Sequence, residues 1–127
     1  MTLFHLADAT TTNSPASTPV KVVDLAKVQG AGPLNWLVVE TVTFRMAGAT
    51  TCTGTFQWVG SNDSELILPP NGTGGVWDNI GSATTITSTG GVTAGSATLT
   101  STIPYHRQGV IISAIAGGGA ASALLNA

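Results

Sequence analysis

Leu34-Asn35-Trp36-Leu37-Val38-Val39-Glu40-Thr41-Val42-Thr43-Phe44, followed by Thr51-Cys52-Thr53-Gly54-Thr55-Phe56-Gln57-Trp58-Val59, is the stretch whose reading decides the fold. In the second segment Cys52, Phe56 and Trp58 fall on one side of a period-two pattern. Thr51, Thr53, Thr55 and Gln57 fall on the other. That is a half-buried strand, and its apolar side is expected to face the core. The first segment puts Trp36, Val38, Glu40, Val42 and Phe44 on one face and Leu37, Val39, Thr41, Thr43 and Arg45 on the other. Its first half is apolar on both faces, which predicts burial on both sides or one face against a partner. Arg45 to Thr50 reads as the turn between the strands, and Gly60-Ser61-Asn62-Asp63-Ser64 as a polar corner after them.

Working outward, the same period recurs. Val20-Lys21-Val22-Val23-Asp24-Leu25 is a short strand candidate. Gln29-Gly30-Ala31-Gly32-Pro33 is a turn, because Pro33 cannot donate to a sheet ladder. Glu65 to Leu68 is a short strand stopped by Pro69-Pro70, and Asn71 to Gly75 is a turn leading to Val76-Trp77-Asp78-Asn79-Ile80. Gly81 to Gly91 is small and polar around Ile86. Ser96 to Ile103 alternates again, with Ala97, Leu99, Ser101 and Ile103 on one side. Gly109 to Ile115 and Ala120 to Leu125 are strands flanking a turn at Gly117-Gly118-Gly119. The total is about eight short strands with regular Gly or Pro punctuation. It predicts a single all-β domain over residues 20–127, an antiparallel β-sandwich or jelly roll. Residues 1–19 contain Thr10-Thr11-Thr12-Asn13-Ser14-Pro15-Ala16-Ser17-Thr18-Pro19 and are expected as an extended arm. The arm either hangs loose or docks on a neighbouring subunit, and Leu3, Phe4 and Leu6 are the residues that would dock.

Composition bounds the function. The 127 residues carry 8% charged side chains, against about 25% in ordinary domains. Hydrophobic residues are 43% and the net charge is −2, a folding composition and not a disordered one. Thr and Ser, about a quarter of the chain, must cover the surface in place of charge. The basic residues Lys21, Lys27, Arg45 and Arg107 are scattered, which argues against nucleic acid and against an acidic membrane surface. Met1 to Asp8 has no basic n-region, so synthesis in a cytoplasm is expected. No apolar run approaches the ~18 residues that cross a bilayer.

Catalytic chemistry finds no constellation in the sequence. Cys52 is the sole cysteine, so an intrachain disulfide and a Cys-rich zinc site are excluded; its strand phase makes it a small buried hydrophobe. His5 and His106 are not placed to activate it. A glycosidase-like pair among Asp8, Asp24, Glu40, Asp63, Glu65 and Asp78 would need two of them to face one cleft. Asn62-Asp63-Ser64-Glu65 is too short for a calcium loop and reads as a polar turn. The glycines at 72, 74 and 75 and at 117–119 lack the Lys and the helix of a phosphate loop. No cofactor or metal is expected. Trp77, in a Gly-rich loop, either caps the core or contacts a partner; it is the aromatic that a sugar ring could stack on.

The order of these pieces resembles the capsid cement (decoration) proteins of tailed bacteriophages. The pieces are Val22-Val23-Asp24-Leu25 before a Gly-rich turn, then Leu37-Val38-Val39-Glu40-Thr41. Gly54-Thr55-Phe56-Gln57-Trp58 follows, running into Ser61-Asn62-Asp63-Ser64. Then come Ile103-Pro104-Tyr105-His106-Arg107 before an apolar strand and Ala120-Ala121-Ser122-Ala123-Leu124-Leu125 at the close. The resemblance covers roughly Val20 to Ala127 as a pattern. It departs in Asn71 to Gly95, rich in Gly, Thr and Ser, and around Pro104-Tyr105, less basic than expected. It implies a homotrimer on the outer capsid surface of the virion that bridges major capsid protein subunits, with no catalytic residues. The expected contact residues are Leu3, Phe4, Leu6, Trp36, Leu37, Val39 and Trp77. The alternative is a carbohydrate- or receptor-binding sandwich of a phage fibre or surface protein.

Overall fold

The computed structural model describes residues 3–14, 18–25, 39–61, 76–90, 95–102 and 105–126. Nine strands are present among the described residues: β1 Leu3–Thr10, β2 Val22–Asp24, β3 Glu40–Ala47, β4 Cys52–Ser61, β5 Asp78–Asn79, β6 Thr84–Ser88, β7 Gly95–Ser101, β8 Arg107–Ala116 and β9 Ala120–Asn126. They form two sheets. One has the order β1-β9-β3-β7; the other has β2-β8-β4-β5, with β6 also pairing β4. Every pairing among them is antiparallel. The expected all-β sandwich is therefore the fold.

Alternation builds the interior. β3 buries Glu40, Val42, Phe44 and Met46, and β9 buries Ala121, Ala123 and Leu125. From the other sheet β4 supplies Cys52, Phe56 and Trp58, and β8 supplies Val110 and Ile112. The inward assignment of Cys52, Phe56 and Trp58 holds. Phe44 and Phe56 stack across the gap between the sheets, with ring centroids 5.0 Å apart and planes 18° from parallel. Such an offset pair adds attraction beyond the area it buries. The Thr faces point outward and pair with one another: Thr43 Oγ1 lies 3.1 Å from Thr98 Oγ1, and Thr55 Oγ1 3.1 Å from Thr85 Oγ1. Cross-strand Thr pairs stabilise a sheet face without charge.

Three expectations need correction. Residues 3–10 are not an arm outside the domain. They are β1, paired with β9 of the same chain, and Leu6 is wholly buried in the core. Leu6 therefore cannot be a partner contact. The beginning of the expected turn at Arg45–Thr50 is strand: β3 runs on to Ala47 because Met46 continues the buried alternation. A ninth strand, β6, lies where only a small polar stretch was expected. Its Thr residues favour extended backbone, and Ile86 anchors it in the core. The long apolar strand begins, within the described residues, only at Glu40; residues 34–38 lie outside them, as does the strand expected at Glu65–Leu68.

Asn13, Ser14 and Val20, between β1 and β2, lie along β8. Ser14 N donates to Ile112 O at 2.8 Å, and Ile112 N donates to Ser14 Oγ at 2.8 Å. Ile115 N donates to Asn13 Oδ1 at 2.9 Å, and Val20 N to Val110 O at 3.0 Å. Backbone and side chains of these residues together satisfy β8 groups that a further strand would otherwise recruit.

Candidate functional site

Strand register gathers the chemically distinctive residues at one end of the sandwich. β1 and β3 start there with Leu3 and Glu40; β7 and β9 end there with Ser101 and Asn126. In the facing sheet Ser61 closes β4 opposite Arg107, which opens β8. Asp78 of β5 pairs with Gly60 at the same level.

A polar chain runs through the interior of this end. Trp58 Nε1 donates to Gln108 Oε1 at 2.9 Å. The Gln108 amide then donates to Glu40 Oε2 at 2.5 Å and to the Tyr105 carbonyl at 3.2 Å. Gln108 is fully buried and Glu40 is 3% exposed. Burial raises the Glu40 carboxyl above its ordinary value of 4.5, and the bond from Gln108 opposes that rise without cancelling it. The Tyr105 ring lies on the backbone of Gly60, where an added Cβ would overlap ring carbons. Its hydroxyl donates to Asp78 Oδ2 at 3.5 Å. Burial first, and Asp78 second, raise the Tyr105 phenol above 10.

Trp77, half-buried, sits against Arg107, whose guanidinium carbon is 5.0 Å from the ring centroid. Arg107 itself is 2% exposed. A desolvated guanidinium over indole is worth about 2 kcal/mol, which fixes the ring in place. Of the two readings of Trp77, this contact supports a cap on the end of the sandwich.

The large apolar side chains that stand most exposed among the described residues are Leu3 at 52%, Val39 at 52% and Val76 at 72%. Val39 precedes Glu40, Val76 precedes Trp77, and Leu3 lies at the level of Asn126 and Thr41. All three therefore belong to the end that holds Glu40, Trp77 and Arg107. Of the expected contact residues, the structure brings together Leu3, Val39 and Trp77. Phe4 is half-buried against the core, and Leu6 is inside it. Trp36 and Leu37 lie outside the described residues. Sequence reasoning missed Glu40, Arg107 and Gln108 as buried groups. The signal was polar residues on the inward phase of apolar strands, which a single sequence does not separate from a strand end.

Cys52 is buried and in no disulfide. No group of three or more His, Cys, Asp or Glu among the described residues could hold a metal ion. The Asn62–Glu65 turn lies outside the described residues. No helix among them is long and apolar enough to cross a membrane. No family model matches the chain, and comparison with curated proteins and with solved structures finds no match.

Proposed function

We propose that this chain is a structural capsid cement protein without enzymatic activity. In this reading it sits on the outer surface of a tailed-phage head as a homotrimer and bridges major capsid protein subunits. The observation that carries the proposal is the gathering of Leu3, Val39 and Val76 at one end of the sandwich. Leu3 stands on the β1 edge and Val76 beside β5, so this end of the sandwich offers exposed apolar side chains from both sheets to a partner. The ordered pieces from Val22 to Leu125 point to cement proteins, and the uncharged Thr faces suit many shallow contacts. Repetition by symmetry multiplies such contacts, so each can be weak.

Native mass measurement at micromolar concentration should give three times the mass of the chain. Val39→Lys combined with Val76→Lys should give monomer with an unchanged circular dichroism spectrum, and should no longer co-sediment with capsid shells that lack the protein. A monomeric parent chain, or a parent that fails to sediment with such shells, overturns the proposal.

A further inference from the structure

The outward face of the β1-β9-β3-β7 sheet carries a feature that the end of the sandwich does not explain. A cavity of about 180 Å³ opens there, lined by His5, Asp8, Thr43, Arg45, Ser122 and Leu124. Three adjacent strands supply these residues. Arg45 stands opposite Ser122, and Leu124 lies between Thr43 and His5. Strand β1 bends at this point. Its register shifts between His5 and Ala7 and again between Ala7 and Thr10, and Ala9 has a φ of 46°. A bulge with a non-glycine residue in the left-handed region re-aims the side chains beside it.

The donors and acceptors are sorted by what each already holds. His5 Nδ1 lies 2.6 Å from Asp8 Oδ1. A carboxylate can only accept, so Nδ1 carries the proton; in the neutral form of the imidazole Nε2 is then the acceptor. Ser122 Oγ already accepts the Ala9 N–H at 3.1 Å, so its own proton remains to be donated. Arg45 is exposed, and no hydrogen bond or ion pair holds it among the described residues. Its planar fork fits a carboxylate through two parallel bonds. Leu124 gives an apolar floor between the polar groups.

We propose that this cavity binds a small polyhydroxy carboxylate, such as a uronic acid unit of an acidic polysaccharide. Arg45 takes the carboxylate, Ser122 donates to it, and His5 Nε2 and the second oxygen of Asp8 accept from ring hydroxyls. The site is independent of the cement reading, since it lies on a sheet face and needs neither a capsid nor a trimer.

Titration of the full chain with glucuronate, followed by backbone amide shifts, tests it. Saturable shifts are expected at His5, Thr43, Arg45 and Ser122. Half-saturation should be on the order of 1 mM, what a ligand of this size reaches at ordinary efficiency. Arg45→Gln, an exposed substitution that leaves the core alone, should weaken binding at least about tenfold. Glucose, which lacks the carboxylate, and acetate, which lacks the hydroxyls, should each bind at least about tenfold more weakly than glucuronate. Absence of saturable shifts with glucuronate, equal binding by Arg45→Gln, or equal binding of glucose or acetate each overturns the proposal.

Discussion

The two ends of the sandwich are closed in opposite ways. At the far end the chain turns through Gly117, Gly118 and Gly119 onto Cys52, and through Gly48 beside the same sulfur. Small residues let backbone pack directly on backbone, and the core there is sealed by Met46 and Cys52, both buried. At the near end large side chains do the closing. Trp58, Gln108, Glu40, Tyr105, Asp78, Trp77 and Arg107 are tied by directed contacts, and Leu3, Val39 and Val76 remain exposed around them. An end closed by glycine turns is complete within one chain. An end that buries a carboxyl and leaves apolar side chains outside is stable at a cost, and such local costs collect where a protein meets something else.

The contrast predicts its largest stability effect at Trp58. Trp58→Ala removes a fully buried ring and leaves the Gln108 Oε1 oxygen without its donor, so about 3–5 kcal/mol should be lost in denaturant unfolding. Trp58→Phe keeps most of the volume and loses the bond to Gln108, for about 1–3 kcal/mol. If Trp58→Phe is as stable as the parent chain, the polar chain through this end contributes nothing and the comparison of the ends collapses to packing alone.

The glycine end gives the next effect. Gly117 has a φ of 79°, and a Cβ there would overlap the Thr51 carbonyl oxygen. Gly118 has a φ of 72° with open space beside it. Gly117→Ala should therefore cost about 3 kcal/mol, from left-handed strain plus the clash, and Gly118→Ala only about 1 kcal/mol. Similar melting points for the two would show that strain, and not the tight seal on β4, governs this end.

What could be read beforehand follows the same division. The faces of β4 were legible because Cys52, Phe56 and Trp58 share one phase of a period-two pattern whose other phase is Thr51, Thr53, Thr55 and Gln57. The turn at Gly117 to Gly119 was legible because three glycines have one common use. β1 was not, for a specific reason: its register shift places Leu6 and Ala7, adjacent in sequence, both inside. No alternation survives that, and the Pro and Ser run after it suggested an arm. β6 hid because Thr84-Thr85-Ile86-Thr87-Ser88 holds one large apolar residue. Leu3, Val39 and Trp77 could be singled out, but their common end depends on strand register. The cavity on the outer face was illegible as a whole. Thr43 with Arg45 and Ser122 with Leu124 share faces by spacing, yet only the order β1-β9-β3 brings His5 and Asp8 to them.

The smallest effect sharpens the comparison most, because it has a sign as well as a size. Burial raises the Glu40 carboxyl above 4.5 in the folded chain. Between that value and the folded one, the native state holds a proton that the unfolded state has released. Stability contributed by Glu40 is therefore present below 4.5 and is lost as pH rises through the folded value. Glu40→Gln keeps an acceptor for the Gln108 amide and abolishes the charge. Urea unfolding across this range should find the variant more stable than the parent near neutral pH and equal to it below 4.5. A variant that is less stable at neutral pH would show that the ionised carboxylate is held favourably, so that burying it is no burden to this end. The expected sign would mean that the chain retains a buried acid where a neutral amide serves folding better, which places the reason for Glu40 outside the stability of the single chain.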